Sequence, residues 1–227
     1  MSITTQQLAR MIDHTLLKNT AMRKDIEQLC AEAIEHSFAT VCVHPFYVGM
    51  CSSILHGSHT RVCTVVGFPH GMHRTGVKIA ETMQAIHDGA QEIDMVIQVG
   101  ALIDGDKDIV WNDIRSVADT AHQSGAVVKA IIETSVLTDE QKIIACEIVS
   151  DAGADFIKTS TGFSNGGATI QDIQLLKKHV DSNIHIKASG GIRTLEQALS
   201  MIQAGATRIG TSSGVSMIQE SMNSLMG

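Results

Sequence analysis

A closed (βα)8 barrel, the TIM-barrel class of α/β folds, is the architecture this sequence predicts, on three observations. Short β-branched apolar runs alternate along the chain with longer stretches of helical period, the pattern of repeated βα units around a parallel sheet. Eight such runs fit into 227 residues, which matches one barrel domain and exceeds what an open doubly wound sheet usually needs. A Gly-Ala pair recurs between helix and strand, at Gly89-Ala90, Gly125-Ala126, Gly153-Ala154 and Gly205-Ala206. There a glycine ends the helix in the left-handed conformation, and a small side chain lets the next strand enter beneath it. No Gly-x-Gly-x-x-Gly follows an early strand, so a dinucleotide-binding fold has little support.

Taken in order, the strands are expected at residues 10–14, 39–43, 62–67, 92–97, 127–133, 155–159, 184–188 and 207–210. Thr40 to Val43, Val62 to Val66 and Val127 to Ile132 are the richest in β-branched side chains. The intervening helical stretches include residues 25–36, 78–87, 109–122, 139–151, 171–179 and 195–203, with a last helix opening near Ser213. No linker or low-complexity segment divides the chain, so residues 1–227 are expected to form one domain.

Composition excludes several classes. The chain is 44% hydrophobic and 18% charged with a formal charge of -7, so no net basic field attracts nucleic acid or anionic lipid, and any anionic ligand must be held locally. No apolar run approaches membrane-spanning length. Five cysteines form no close sequence pair and no secretory leader is expected, which points to reduced thiols in the cytoplasm. Eleven methionines are read as packing residues, as is Trp111 on its helical stretch.

The chemistry-bearing feature is a pair of lysines. Lys158 closes Phe156-Ile157-Lys158 and Lys187 closes Ile184-His185-Ile186-Lys187, at the carboxyl ends of consecutive strands, where barrels place their active sites. One such lysine alone is read as a stem packed on apolar surface with its head in water. Two on strands about 5 Å apart point instead to one ammonium lowering the pKa of the other and leaving a nucleophilic amine. Asp94, a carboxylate inside an apolar run, is either an ion-pair partner of Lys129 on the next strand or a proton shuttle beside an imine. Ser189-Gly190-Gly191 after the seventh strand and Gly210-Thr211-Ser212-Ser213-Gly214 after the eighth sit where barrels bind phosphate, with Arg193 as a charge-assisted contact. The pairs His56/His59 and His70/His73 have metal-like spacing but no completing ligand, and are read as surface residues. Cys42 is by default a small core residue.

These motifs make the chain resemble the class I 2-deoxyribose-5-phosphate aldolase family. The resemblance runs through Ile12-Asp13-His14-Thr15-Leu16-Leu17, Val41-Cys42-Val43-His44-Pro45, Val65-Val66-Gly67-Phe68-Pro69, Lys158-Thr159-Ser160-Thr161-Gly162-Phe163, Lys187-Ala188-Ser189-Gly190-Gly191-Ile192-Arg193 and Gly210-Thr211-Ser212-Ser213-Gly214. It implies a reaction without metal or cofactor, in which Lys158 forms the imine, Lys187 tunes it and Asp94 assists proton transfer. It further implies Asp13, Cys42 and Thr161 around the sugar, and Gly162, Gly190, Gly191, Arg193, Gly210, Ser212 and Ser213 around the phosphate. The implied partner is a phosphorylated sugar, with no nucleic acid or membrane, and a homodimer is the expected assembly. The chain departs from the family at His44, His70, Gln98 and Ser135, which bears on aldehyde preference and rate more than on reaction class. Rival readings are another lysine-imine barrel acting on a sugar phosphate or pyridoxal phosphate, and a non-catalytic sugar-phosphate binder.

Overall fold

The computed structural model describes residues 3–224. Its eight strands are all parallel and hydrogen-bond in sequence order, β8 returning to β1 to close the barrel. They are β1 (Ile12–Leu16), β2 (Thr40–Val43), β3 (Arg61–Val66), β4 (Glu92–Val96), β5 (Val127–Ile131), β6 (Phe156–Lys158), β7 (His185–Ser189) and β8 (Arg208–Thr211). Ten helices accompany them: α1 (Thr5–Ala9), α2 (Arg23–His36), α3 (Val48–Ile54), α4 (Thr75–His87), α5 (Val99–Asp104), α6 (Lys107–His122), α7 (Asp139–Asp151), α8 (Ile170–His179), α9 (Leu195–Ala204) and α10 (Gly214–Ser224).

The expected punctuation is present. Gly89, Gly125, Gly153 and Gly205 all have positive φ, and the alanine after each is buried. Thr138 and Thr194 cap α7 and α9 in reciprocal boxes with Gln141 and Gln197, which fixes where each helix starts. Five elements differ from expectation for identifiable reasons. β1 lies two residues later than the expected 10–14, because Arg10 caps the short α1 instead of entering the sheet. β5 stops at Ile131, since Glu133 takes a left-handed conformation (φ 55°) that no strand continues. Helices α1, α3 and α5 have five, seven and six residues, too few turns for a helical period to be read. Trp111, expected to pack, is 40% exposed on α6.

Strand alternation divides the side chains into two populations. Val41, Val43, Ile93, Met95, Val128, Ala130, Ile157, Ile186, Ala188 and Ile209 belong to the main apolar cluster, shared with the helices. Asp13, Glu92, Asp94, Lys129, Lys158 and Lys187, on the alternate positions, meet one another inside the barrel. A small apolar group of Leu17, Cys42, Cys63 and Val65 lies apart from the main cluster. The fold therefore draws its burial from the sheet–helix layer and gives much of the barrel interior to charge.

Candidate active site

Lys158 and Lys187 are partners across β6 and β7, and Asp94 and Lys129 across β4 and β5, so strand register brings the four side chains to one region. Both lysine ammonium groups reach the same oxygen: Lys158 Nζ is 2.7 Å and Lys187 Nζ 2.6 Å from Asp94 Oδ2. The other oxygen, Oδ1, accepts from Lys129 Nζ at 2.8 Å and from the Cys63 thiol at 3.1 Å. Asp94 is thus both the ion-pair partner of Lys129 and the neighbour of Lys158.

The network extends further than the sequence showed. Lys187 Nζ lies 2.5 Å from Asp13 Oδ2, and Arg208 Nη1 is 2.6 Å from Asp13 Oδ1 and 3.0 Å from Glu92 Oε2. Lys129 completes the circuit at 2.6 Å from Glu92. Glu92 and Arg208 were missed because each opens its strand, where a charged residue is commonly solvated. The available signal was the two-residue step from Glu92 to Asp94, which places both on one face of β4.

Burial opposes every charge here, yet the partners decide the outcome. For Asp13 burial favours the neutral acid, and the cations of Lys187, Arg208 and Lys129 override it, holding the carboxyl below its usual range. Asp94 is depressed well below that range against the same penalty by Lys129, Lys158 and Lys187. Lys187, despite its burial, is raised above the ordinary lysine value by Asp13 and Asp94, so it is a fixed cation beside Lys158. Lys129 is raised in the same way, with Asp94 its strongest partner.

Above this network opens a cleft of about 280 Å³ lined in part by Lys158, Lys187, Thr161, Gly162, Gly190, Gly191, Arg193, Gly210 and Ser212. Gly190 and Gly191 are consecutive positive-φ residues (86° and 79°), which no L side chain adopts comfortably. β8 leads through Ser212, which lines the cleft with Arg193, and Ser213 into the amino end of α10, the kind of helix start that favours an anion. Four predicted residues do not line it, Asp94 among them, buried in the network beneath. Asp13 and Cys42 are fully buried in the barrel interior, while Ser213 donates its N–H to Thr211 Oγ1 at 2.9 Å and caps the turn. Thr15, Leu17, Lys18 and Phe163, which do line it, were not singled out from sequence. The later position of β1 brings the first three to the rim.

The Sγ and carboxylate atoms of Cys42, Cys63 and Asp94, and of Asp13, Cys63 and Glu92, lie within 4.8 Å of one another, a spacing a metal ion could use. Ammonium and guanidinium groups already occupy those carboxylate oxygens, so an added cation would meet like charges; the donor set does not suit a metal. His56, His59, His70 and His73 are exposed, as the sequence suggested.

A parallel barrel carrying a buried amine cluster under a glycine-rimmed cleft at its strand ends has the layout of a TIM-barrel enzyme. Sequence comparison gives the family. The model of the DeoC/LacD family aldolases matches residues 8–220, and the chain belongs to that family. It is 55% identical over 219 residues to a deoxyribose-phosphate aldolase of Caldicellulosiruptor saccharolyticus, covering 96% of this chain and 100% of that one. It is 52% identical to the Thermococcus gammatolerans deoxyribose-phosphate aldolase, over 95% and 97% of the two chains. Among solved structures, a tetrameric deoxyribose-phosphate aldolase from Aeropyrum pernix superposes with a TM-score of 0.91 at 32% identity, over 98% and 93% of the chains.

Proposed function

We propose that this chain is a metal-independent class I aldolase that reversibly cleaves 2-deoxy-D-ribose 5-phosphate to D-glyceraldehyde 3-phosphate and acetaldehyde. The observation that carries the reading is the convergence of Lys158 and Lys187 on one Asp94 oxygen beneath the cleft. With every base protonated, the interior holds four cations (Lys129, Lys158, Lys187, Arg208) against three carboxylates (Asp13, Glu92, Asp94). These cations differ in how many carboxylates hold them. Lys158 has only Asp94, whereas Lys129 and Lys187 have at least two each.

The free amine of Lys158 attacks the sugar aldehyde carbon and expels water, leaving a protonated imine that acts as an electron sink. A base takes the proton of the C3 hydroxyl, the C2–C3 bond breaks, and its electrons enter an enamine as glyceraldehyde 3-phosphate leaves. Asp94, between Lys158 and Lys187, assists return of a proton to C2, and hydrolysis of the imine releases acetaldehyde and the Lys158 amine. Gly162, Gly190, Gly191, Arg193, Gly210 and Ser212 hold the phosphate, and Thr161 the sugar; Asp13 and Cys42 shape the site from below. The same reading makes the chain a single catalytic domain acting in the cytoplasm as a homodimer, a setting that suits five free, buried thiols.

The test is borohydride reduction in the presence of acetaldehyde, followed by peptide mass spectrometry. A two-carbon adduct on Lys158 is expected. An adduct confined to another lysine, or activity abolished by chelation and restored by metal, would overturn the reading.

A further inference from the structure

Glu133 stands outside the charge network, buried behind Thr161, which lines the cleft. It follows β5 with φ 55° and ψ 65°, left-handed values that a bulky side chain adopts only against steric resistance. Glycine would take them freely. The turn lets Ile132 N–H donate to Lys158 O at 3.0 Å and Thr134 N–H to Thr159 O at 2.8 Å, backbone contacts available to any residue at 133. What only the glutamate supplies is its carboxylate. Oε2 accepts from Thr161 Oγ1 at 2.5 Å and from Thr161 N–H at 3.2 Å, on the loop that follows β6. The residue is 5% exposed, its Oε1 has no hydrogen-bond partner, and Glu133 makes no ion pair among the described residues. A strained backbone and a half-satisfied buried carboxylate are both costs, and costs retained beside a binding cleft point to function.

The hydrogen bonds run onward. Because the Thr161 hydroxyl gives its proton to Glu133, its oxygen is free to accept from Phe163 N–H, at 3.1 Å. Three donors and two acceptors thus clamp residues 161–163 around Gly162 (φ 84°), which lines the cleft and whose Cβ position is open space. The Phe163 ring packs edge-on against Phe68 from the loop after β3, with centroids 5.2 Å apart, and steadies the far side of this turn.

We propose that Glu133 is a positioning residue: acting through Thr161, it fixes the loop after β6 so that the Gly162 backbone is preorganised for the phosphate of the substrate. The inference rests on the aldolase reading and deepens it. Glu133 touches no reacting atom; it acts on affinity for the phosphorylated end, leaving imine formation at Lys158 to the network below.

Cleavage of 2-deoxyribose 5-phosphate and of unphosphorylated 2-deoxyribose is measured for wild type, Glu133→Gly, Glu133→Gln and Thr161→Val. Glycine relieves the positive φ while removing the carboxylate, so that variant folds. Expected is a drop in kcat/KM of about 30-fold for the phosphorylated sugar, carried mainly by KM, against less than about 3-fold for the unphosphorylated one. Thr161→Val loses at least as much on the phosphorylated sugar, with an added loss on both sugars because Thr161 also holds the sugar; the contrast between the two sugars is read from Glu133→Gly. Glu133→Gln, which keeps an acceptor oxygen, restores most of the loss. Hydrogen exchange in Glu133→Gly accelerates at the amides of Thr161 and Phe163 and not in β6, and acetaldehyde trapping at Lys158 persists. Equal losses on both sugars, an unchanged KM or undisturbed exchange at those amides would overturn the proposal. If wild type cleaves neither sugar, the aldolase reading fails by itself. Calorimetric titration of 2-deoxyribose 5-phosphate then still decides: affinity at least equal to wild type in Glu133→Gly removes Glu133 from this role.

Discussion

Lys129→Met tests the charge count directly, because it removes one cation without touching the amine proposed to react. Lys129 lies 2.8 Å from Asp94 Oδ1 and Lys158 lies 2.7 Å from Oδ2, so the two nitrogens are bridged by one carboxylate. At an effective dielectric near 20, unit charges held on either side of one carboxylate interact by about 2 kcal/mol. The substitution turns four cations against three carboxylates into an even match and leaves Asp94 Oδ1 with the Cys63 thiol as its remaining donor. A change of about 2 kcal/mol at the reacting amine corresponds to a loss of about 30-fold in kcat/KM. The assay is the kinetics of 2-deoxyribose 5-phosphate cleavage, with near-UV circular dichroism to show that the barrel persists. An unchanged kcat/KM in the folded variant would refute the reasoning, and loss of the near-UV signal would make Lys129 purely structural.

Lys158→Leu should lower cleavage by at least about 10⁴-fold and abolish the acetaldehyde adduct while the protein stays folded; retained turnover would remove Lys158 from its role. Because Asp13 and Asp94 are held below the unfolded carboxylate value of 3.8, the stability they contribute is complete above that pH and is lost as pH falls through their folded values. Lys129 and Lys187 are raised above 10.5, so their contribution is complete below that value and is lost as pH climbs through their higher folded values. Denaturant midpoints should be level between these limits and fall beyond them, and a maximum near pH 3 would contradict the assignment. Lys78 and Asp113, both fully buried and 2.5 Å apart, form a second pair outside the network, where burial pushes the lysine down and the aspartate up. Lys78→Met should destabilise by about 3–5 kcal/mol, lowering Tm by roughly 10 °C, and adding Asp113→Leu should recover most of it; additive losses would show that more than the pair is at stake.

Much of the site was legible because a strand has a fixed period. Once Lys158 and Lys187 are assigned to the ends of neighbouring strands, parallel pairing alone predicts that their side chains meet, and the register of β6 on β7 has them opposite each other. Lys129 and Asp94 follow by the same logic on β4 and β5. Arg208 was not legible: it begins β8, and only closure of the sheet puts β8 beside β1 and gives Arg208 the carboxylate of Asp13 as a partner. Asp13, read through resemblance as a residue of the sugar pocket, proves to be the anion that holds Lys187 charged. Glu133 was hidden for another reason. Its sequence neighbours continue the apolar run of β5, and nothing in a one-dimensional pattern marks the residue at which φ changes sign.

The same closure explains why the reactive amine needs a whole barrel. The carboxylates and cations come from β1, β4, β5, β6, β7 and β8, and the one adjacent pair of strands with balanced charge, β8 and β1, meets only when the barrel closes. In an open sheet each would be solvated, with nothing to make one proton surplus. Closing the barrel removes the water and leaves the charges to settle among themselves, at a desolvation cost of several kcal/mol per ion that the ion pairs repay only in good geometry. The outer shell supplies the remaining stability: Val41, Ile93, Met95, Val128, Ile157, Ile186 and Ile209 are all essentially inaccessible beneath the helices. Alternation along each strand therefore separates the two tasks by a single residue. One face secures the fold by apolar burial, and the other gathers the four cations and three carboxylates on which the proposed lysine chemistry rests.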